Sequence, residues 1–333
     1  MSAAPSLMEN QAAPALIAQT GDSLREAFGK ALSGLADEFK TVVVLDADIA
    51  GGTGVPPFRT RHPDRFLQFG IAEQNMMAAA GGLAATGLIP IVTTFAVFCL
   101  RAVEQARLSL AYAGRNAKIV ASHPGLDVGP DGGSAQALED MAAFRAIPGM
   151  TVISPADPIE MKLATRAMLE FKGPVYMRTG RSPAKRVFGD DHTFEIGKGK
   201  IVRDGKDVTI VACGVEVARA VEAAELLAAE GIEVRVVNMA TIKPIDKQLL
   251  IRCAKHTGCF VTAEDHNIYG GLGSAVAELF ADRLAQAPRL LRLGLPDRFP
   301  EKYGSQDDLL RHFGLTPEQI AERAASLGMR SAA

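Results

Sequence analysis

The chain has 333 residues, 48% hydrophobic and 22% charged, with no tryptophan and a formal net charge of -2. That length supplies core for about two domains. The near-neutral balance leaves neither the basic footprint of a nucleic-acid binder nor a polybasic membrane patch. Cys99, Cys213, Cys253 and Cys259 form no CxxC pair and no zinc-spaced set with histidine. They read as buried, reduced thiols of a cytoplasmic protein.

Residues 1–21 are Ala-, Pro- and Gln-rich with little periodicity, which predicts a mobile tail. No basic stretch precedes an apolar run there, so no secretory signal is expected. Apolar residues at helical spacing predict a helix over 23–39, with Asp22 or Ser23 as its N-cap. Strands are expected at 41–45, 66–69, 88–93, 117–122, 150–154 and 174–178, with helices at 72–86, 99–112 and 158–171 between them. Residues 83–100 are nearly all apolar, but Gly87, Pro90, Thr93 and Thr94 break the run into turn, strand and turn rather than a membrane span. This alternation specifies a parallel sheet covered by helices on both faces.

The pattern shifts near 180–200. Gly189-Asp190-Asp191-His192 marks an exposed loop, and Gly197, Gly199 and Gly205 suggest a short hairpin. A second alternating unit follows, with strands at 207–213, 233–237, 258–263 and 290–294 and helices at 215–230, 246–255 and 272–286. The expected fold is α/β, with two doubly wound domains over 22–190 and 191–333.

Several stretches carry chemistry. Gly70-Ile71-Ala72-Glu73-Gln74-Asn75-Met76 puts a carboxylate in the first turn of a helix, where the dipole alone would favour it. Phe95 and Phe98, in Thr94-Phe95-Ala96-Val97-Phe98, read as core residues or as a flat ring platform. Asp46 and Asp48 end a strand, a place for ligand groups or for turn caps. The loop from Ser122 to Gln136 holds His123, Asp127, Asp131 and several glycines. Arg178 and Arg181 end another strand, as surface residues or as anion-binding guanidinium groups.

In this order and spacing the stretches resemble the pyrimidine-binding domain of the transketolase family of thiamine diphosphate enzymes. The resemblance implies that Glu73 bonds N1′ of the cofactor's aminopyrimidine and so favours the imino tautomer that deprotonates the thiazolium. It implies that Phe95 stacks on that ring with Phe98 beside it, and that Asp48 lies near the cofactor. His123 and Asp131 become contacts to substrate hydroxyl and carbonyl groups, with His123 also able to move protons. Arg181 matches the substrate-phosphate arginine, with Arg178 as the competing candidate.

Three positions depart from the family pattern. Arg101 stands where a Tyr often follows the two Phe, Ala135 replaces a His that contacts sugar hydroxyls, and Gly52 stands near the place of a phosphate-contacting Ser, with Thr53 beside it. No GDG motif for diphosphate and Mg²⁺ occurs in the chain, and no metal ligand set replaces it. Thr262 to Ser274 resembles the family's C-terminal domain, which implies an assembly or regulatory role for His266 and its glycines. Together these features imply the C-terminal subunit of a split transketolase. A separate N-terminal subunit would hold the diphosphate and Mg²⁺ in a 2+2 heterotetramer. The enzyme would pass a two-carbon ketol unit between sugar phosphates through a dihydroxyethyl intermediate. The alternatives are the β subunit of a thiamine-dependent 2-oxo acid dehydrogenase and a regulatory subunit that keeps the fold.

Overall fold

The computed structural model describes residues 17–301 and 304–329. Strands in the first half are β1 (Ile17–Ser23), β2 (Val42–Asp46), β3 (Phe66–Gln68), β4 (Ile89–Phe95), β5 (Lys118–Ser122), β6 (Thr151–Ile153), β7 (Val175–Thr179) and β8 (Pro183–Arg186). The second half adds β9 (Lys200–Arg203), β10 (Val208–Ala212), β11 (Val234–Asn238), β12 (Thr241–Lys243), β13 (Cys259–Asn267) and β14 (Arg289–Leu295). The two main sheets run β12-β6-β7-β5-β4-β2-β3 and β14-β13-β10-β11-β9. Pairing is parallel throughout except for the edge strands β12 and β9.

Central parallel strands are apolar on both faces because both faces are covered. In β2 and β4, Val42, Val44 and Ile91 pack with Phe28, Leu32 and Met161. Their alternate neighbours Val43, Leu45 and Val92 pack on the other side with Met76, Met77 and Ala80. The expected α/β fold with two doubly wound units is the observed one. Ser23 caps the first helix (Leu24–Leu35) in a capping box with Glu26, a device worth about 1 kcal/mol. Among the described residues no helix is long and apolar enough to cross a membrane.

Three local expectations need correction. Residues 17–21 belong to β1, which pairs antiparallel with β8, rather than to a tail; residues 1–16 lie outside the described residues. The glycine-marked stretch near 197–205 forms β9, an edge strand on β11, not a hairpin. The helix expected over 99–112 is broken into Ala96–Arg101, Val103–Gln105 and a π-helical turn, Ala106–Tyr112. Cys99, Ala102, Ala106 and Leu110 stay buried across the breaks, so the periodicity hides them. The second half also reaches into the first sheet, where Thr241 of β12 pairs with Ile153 of β6.

Polar side chains bind the two halves. Arg178 donates through Nε to Oδ2 of Asp140 at 2.8 Å and through Nη1 to the carbonyl of Asp265 at 2.9 Å. Tyr176 donates to the same Asp140 carboxylate. Asp265 accepts from the Leu126 N–H at 3.0 Å, and Nε2 of His266 accepts from the Ala142 N–H at 3.2 Å. Gly125, at φ +58°, lets the loop approach so closely that a Cβ would lie 2.5 Å from the Asp265 carboxyl carbon.

Candidate active site

Strands β2, β4, β5 and β7 end along one edge of the first sheet, with Phe95 level with Ser122 and Ser122 level with Thr179. Carboxyl ends of parallel strands are where open α/β sheets gather ligand groups. Asp48 follows β2, Phe95 closes β4, His123 follows β5 and Arg181 follows β7. Glu73 opens the Glu73–Ala85 helix after β3.

Glu73 is 3% exposed, and its helix has no side-chain N-cap. Nη1 of Arg101 donates to its Oε2 at 2.9 Å. The Arg101 side chain is itself 53% exposed, and its guanidinium carbon lies 5.6 Å from the Phe98 ring centroid. Gly81, in the same helix, lies against the Ala106–Tyr112 turn: a Cβ there would sit 2.6 Å from the Ser109 carbonyl oxygen. Gly82 makes no such contact.

The rings form a series. Phe98 and Phe95 are nearly parallel with centroids 5.5 Å apart, and His123 stacks on Phe95 at 3.8 Å. Both phenylalanines are half-buried, so the pair is neither wholly core nor wholly free. His123 adopts φ +58°, and its Nδ1 lies 2.9 Å from the Ser122 hydroxyl. Burial, then the charges of Arg25 and Arg181, lower its pKa to about 4 against an opposing pull from Asp131. At neutral pH the ring is therefore an uncharged hydrogen-bonding group.

Beyond His123 the loop meets Arg181. Its Nη1 donates to the Val128 carbonyl at 3.2 Å and to Oδ2 of Asp131 at 3.3 Å. Asp127, buried beneath, accepts from the backbone N–H groups of Arg181 and Ser182 and fixes the end of β7. The Arg181–Asp131 pair is partly exposed, at 35% and 45%, which leaves both groups open to a ligand.

The other candidates separate. Arg178 is buried in the joint between the halves and does not reach this edge as a free cation. Asp46 caps the turn after β2, accepting from the Ile49 N–H at 3.1 Å and from Gln68 at 2.7 Å. Asp48, at φ +62°, leaves its carboxylate exposed and without a partner among the described residues. Thr53 turns its hydroxyl back onto the Ala50 carbonyl at 3.2 Å, so it does not stand in for a side chain at Gly52. At Gly52 a Cβ would lie 2.5 Å from the Phe95 ring; the ring lies against the space a serine side chain would need.

Sequence reading missed Arg25. Its N–H bonds the Gly180 carbonyl at 3.0 Å and its Nη1 bonds the Gly52 carbonyl at 3.2 Å. The first helix thereby brings a second guanidinium close enough to depress the His123 pKa. Nothing local marks this residue, because its partners lie 27 and 155 positions away along the chain.

Comparison with known proteins identifies the family of both domains. The pyrimidine binding domain of transketolase matches residues 22–185, and the transketolase C-terminal domain matches residues 197–320. A putative transketolase C-terminal section from Methanocaldococcus jannaschii is 45% identical over 90% of this chain and 94% of its own length. A 6-deoxy-6-sulfo-D-fructose transketolase subunit from a Clostridium species is 41% identical over 90% of this chain and 93% of its own. A solved structure described as a split gene transketolase, inactive beta4 tetramer, superposes with a TM-score of 0.84 at 44% identity, covering 92% of this chain and 99% of that one. The chain spans about half the length of a longer transketolase that it also matches. With both domains matched and a relative 45% identical over 90% of the chain, the chain belongs to the transketolase family.

Proposed function

We propose that this chain is the C-terminal, pyrimidine-binding subunit of a two-chain transketolase. The enzyme would move a two-carbon ketol unit from a ketose to an aldose, each with an anionic end group. The observation that carries this reading is Glu73: a buried carboxylate at a helix start, beside half-buried parallel rings, with one oxygen accepting no hydrogen bond among the described residues. Members of this family use thiamine diphosphate, and these residues fit its aminopyrimidine end. Among the described residues no three His, Cys, Asp or Glu side chains gather to hold a metal. In this reading the diphosphate and Mg²⁺ belong to a separate N-terminal subunit, in a 2+2 assembly. The name and full-length match of the M. jannaschii relative support that division. Free, buried thiols at Cys99, Cys213, Cys253 and Cys259 suit a cytoplasmic setting.

When bound, the cofactor supplies the ring that stores the carbanion of the transferred unit. Glu73 would hold the proton balance at N1′ through a charge-assisted hydrogen bond. Phe95 and Phe98 would orient the pyrimidine against it. His123, neutral and tethered to Ser122, would hydrogen-bond a substrate oxygen. Asp131 would take a hydroxyl, and Arg181 with Arg25 would hold the anionic end group. Gly52 and Ala135 remove two polar side chains from the substrate side. The sulfo-sugar named for the Clostridium relative makes a sulfonate end group a second reading beside phosphate.

The test starts from the complex captured from native cells with a tagged chain. It should contain a partner with the GDG motif and turn over ketose and aldose phosphates or sulfonates. Glu73→Gln should lower turnover about 10²- to 10⁴-fold. Unchanged turnover would remove Glu73 from the chemistry, and acyl transfer to lipoamide without aldose use would move the assignment to a dehydrogenase β subunit.

A further inference from the structure

The Glu73 carboxylate has two oxygens in two situations. Oε2 accepts from Arg101 at 2.9 Å, while Oε1 accepts from none of the described residues. The helix N-terminus offers this carboxylate only a partial positive charge. Arg101 supplies the full one. The guanidinium is supported from its other side by the Phe98 ring at 5.6 Å, a cation–π contact, and Phe98 in turn lies parallel to Phe95. Carboxylate, guanidinium and the two rings are thus one mechanical assembly.

An exposed guanidinium contributes little to folding through such a pair. The contact matters instead for where the carboxylate points. With Oε2 occupied, the side chain cannot turn without breaking a charge-assisted bond, and Oε1 is the oxygen left for a ligand. We propose that Arg101 is a positioning residue for Glu73: it takes Oε2 and leaves Oε1 aimed to meet N1′ of the pyrimidine. This rests on the reading of Glu73 as the cofactor's carboxylate. A tyrosine, the residue the family pattern often has here, could offer neither the charge nor the forked donor.

Three variants of the assembled two-subunit enzyme test this: Arg101→Gln, Arg101→Lys and Glu73→Gln. Isothermal titration with thiamine diphosphate in excess Mg²⁺ gives the cofactor Kd, and steady-state assays give kcat and KM. Arg101→Gln should raise the cofactor Kd and lower kcat, each by about tenfold or more, with sugar KM within about twofold and the melting temperature held. Arg101→Lys, which keeps the charge and can donate to Oε2 without the guanidinium fork, should recover most of both losses. Wild-type Kd and kcat in Arg101→Gln, or tighter cofactor binding, would overturn the proposal, the latter by showing Arg101 as an obstacle. If Glu73→Gln abolishes turnover while Arg101→Gln does nothing, only the positioning role fails. If Glu73→Gln is also silent, the reading of the site fails and takes this inference with it.

Discussion

The two main sheets end alike and are used differently. At the carboxyl edge of the first, Glu73, Asp131 and Arg181 keep atoms that no protein group satisfies among the described residues. At the same edge of the second, Glu264, Asp265 and His266 close β13 and are all buried. Each has a protein partner: Glu264 takes the N–H groups of Leu272 and Gly273 at 2.6 and 2.8 Å, Asp265 that of Leu126, and His266 that of Ala142. Parallel strands build the same crevice at both edges; in the first it is open, and in the second it grips the other half of the chain. A charged residue at a strand end is thus weak evidence for a site. A charged residue there with an unspent hydrogen-bonding atom is stronger evidence.

The joint should be the costlier place to strike for stability. Arg178→Met would leave Asp140 buried without its cation, and should lower unfolding stability by about 3–5 kcal/mol, read as a shift in urea midpoint. A loss below about 1 kcal/mol would mean that the joint is not the saturated element described here.

The open edge should respond in the opposite sense. Arg181→Ala should leave the urea midpoint nearly unmoved, yet reduce kcat/KM for an anionic-ended sugar by about 10- to 100-fold, the loss of one hydrogen bond to a charged group. An equal loss on a sugar without the anionic group would make Arg181 a structural residue and erase the contrast.

The smallest effect is one of pH. The His123 pKa is lowered to about 4 from an ordinary value near 6.5, chiefly by burial. The unfolded chain then binds the extra proton first, so stability falls as pH drops from about 6.5 to 4. His123→Gln should flatten that slope. Burial raises Glu264 to about 7 and Asp265 to about 6, so their contribution is full below about 4 and is lost as pH rises through those values. Glu264→Gln should therefore gain on the wild type between pH 5 and 8. Parallel slopes for the two variants in pH-dependent urea melts would contradict the different settings assigned to the two edges.

Much of this molecule is local enough to read along the chain. Runs such as Val42 to Leu45 and Val208 to Ala212 are apolar on both faces, which only a covered parallel strand needs, and both lie in strands. The capping box at Ser23 and the glycine-rich loop after β5 are decided within a few residues. The order of Glu73, Phe95, His123 and Arg181 along successive strand ends is likewise a property of the sequence, because parallel topology delivers strand ends to one edge.

Tertiary structure decided what depends on partners far apart in sequence. Arg178 and Arg181 are three residues apart and alike in composition. Alternation along β7 sends one inward to Asp140, and the end of the strand leaves the other at the open edge. Pairing of β1 with β8, and entry of β12 into the first sheet, rest on edge hydrogen bonds that carry no periodic signal. Arg25 and Arg101 are ordinary helical arginines until the fold sets one beside Gly52 and His123 and the other on Glu73. Charge acts over a few ångströms of space, whatever the separation along the chain, so the residues that tune the candidate site were the ones only the folded chain could identify.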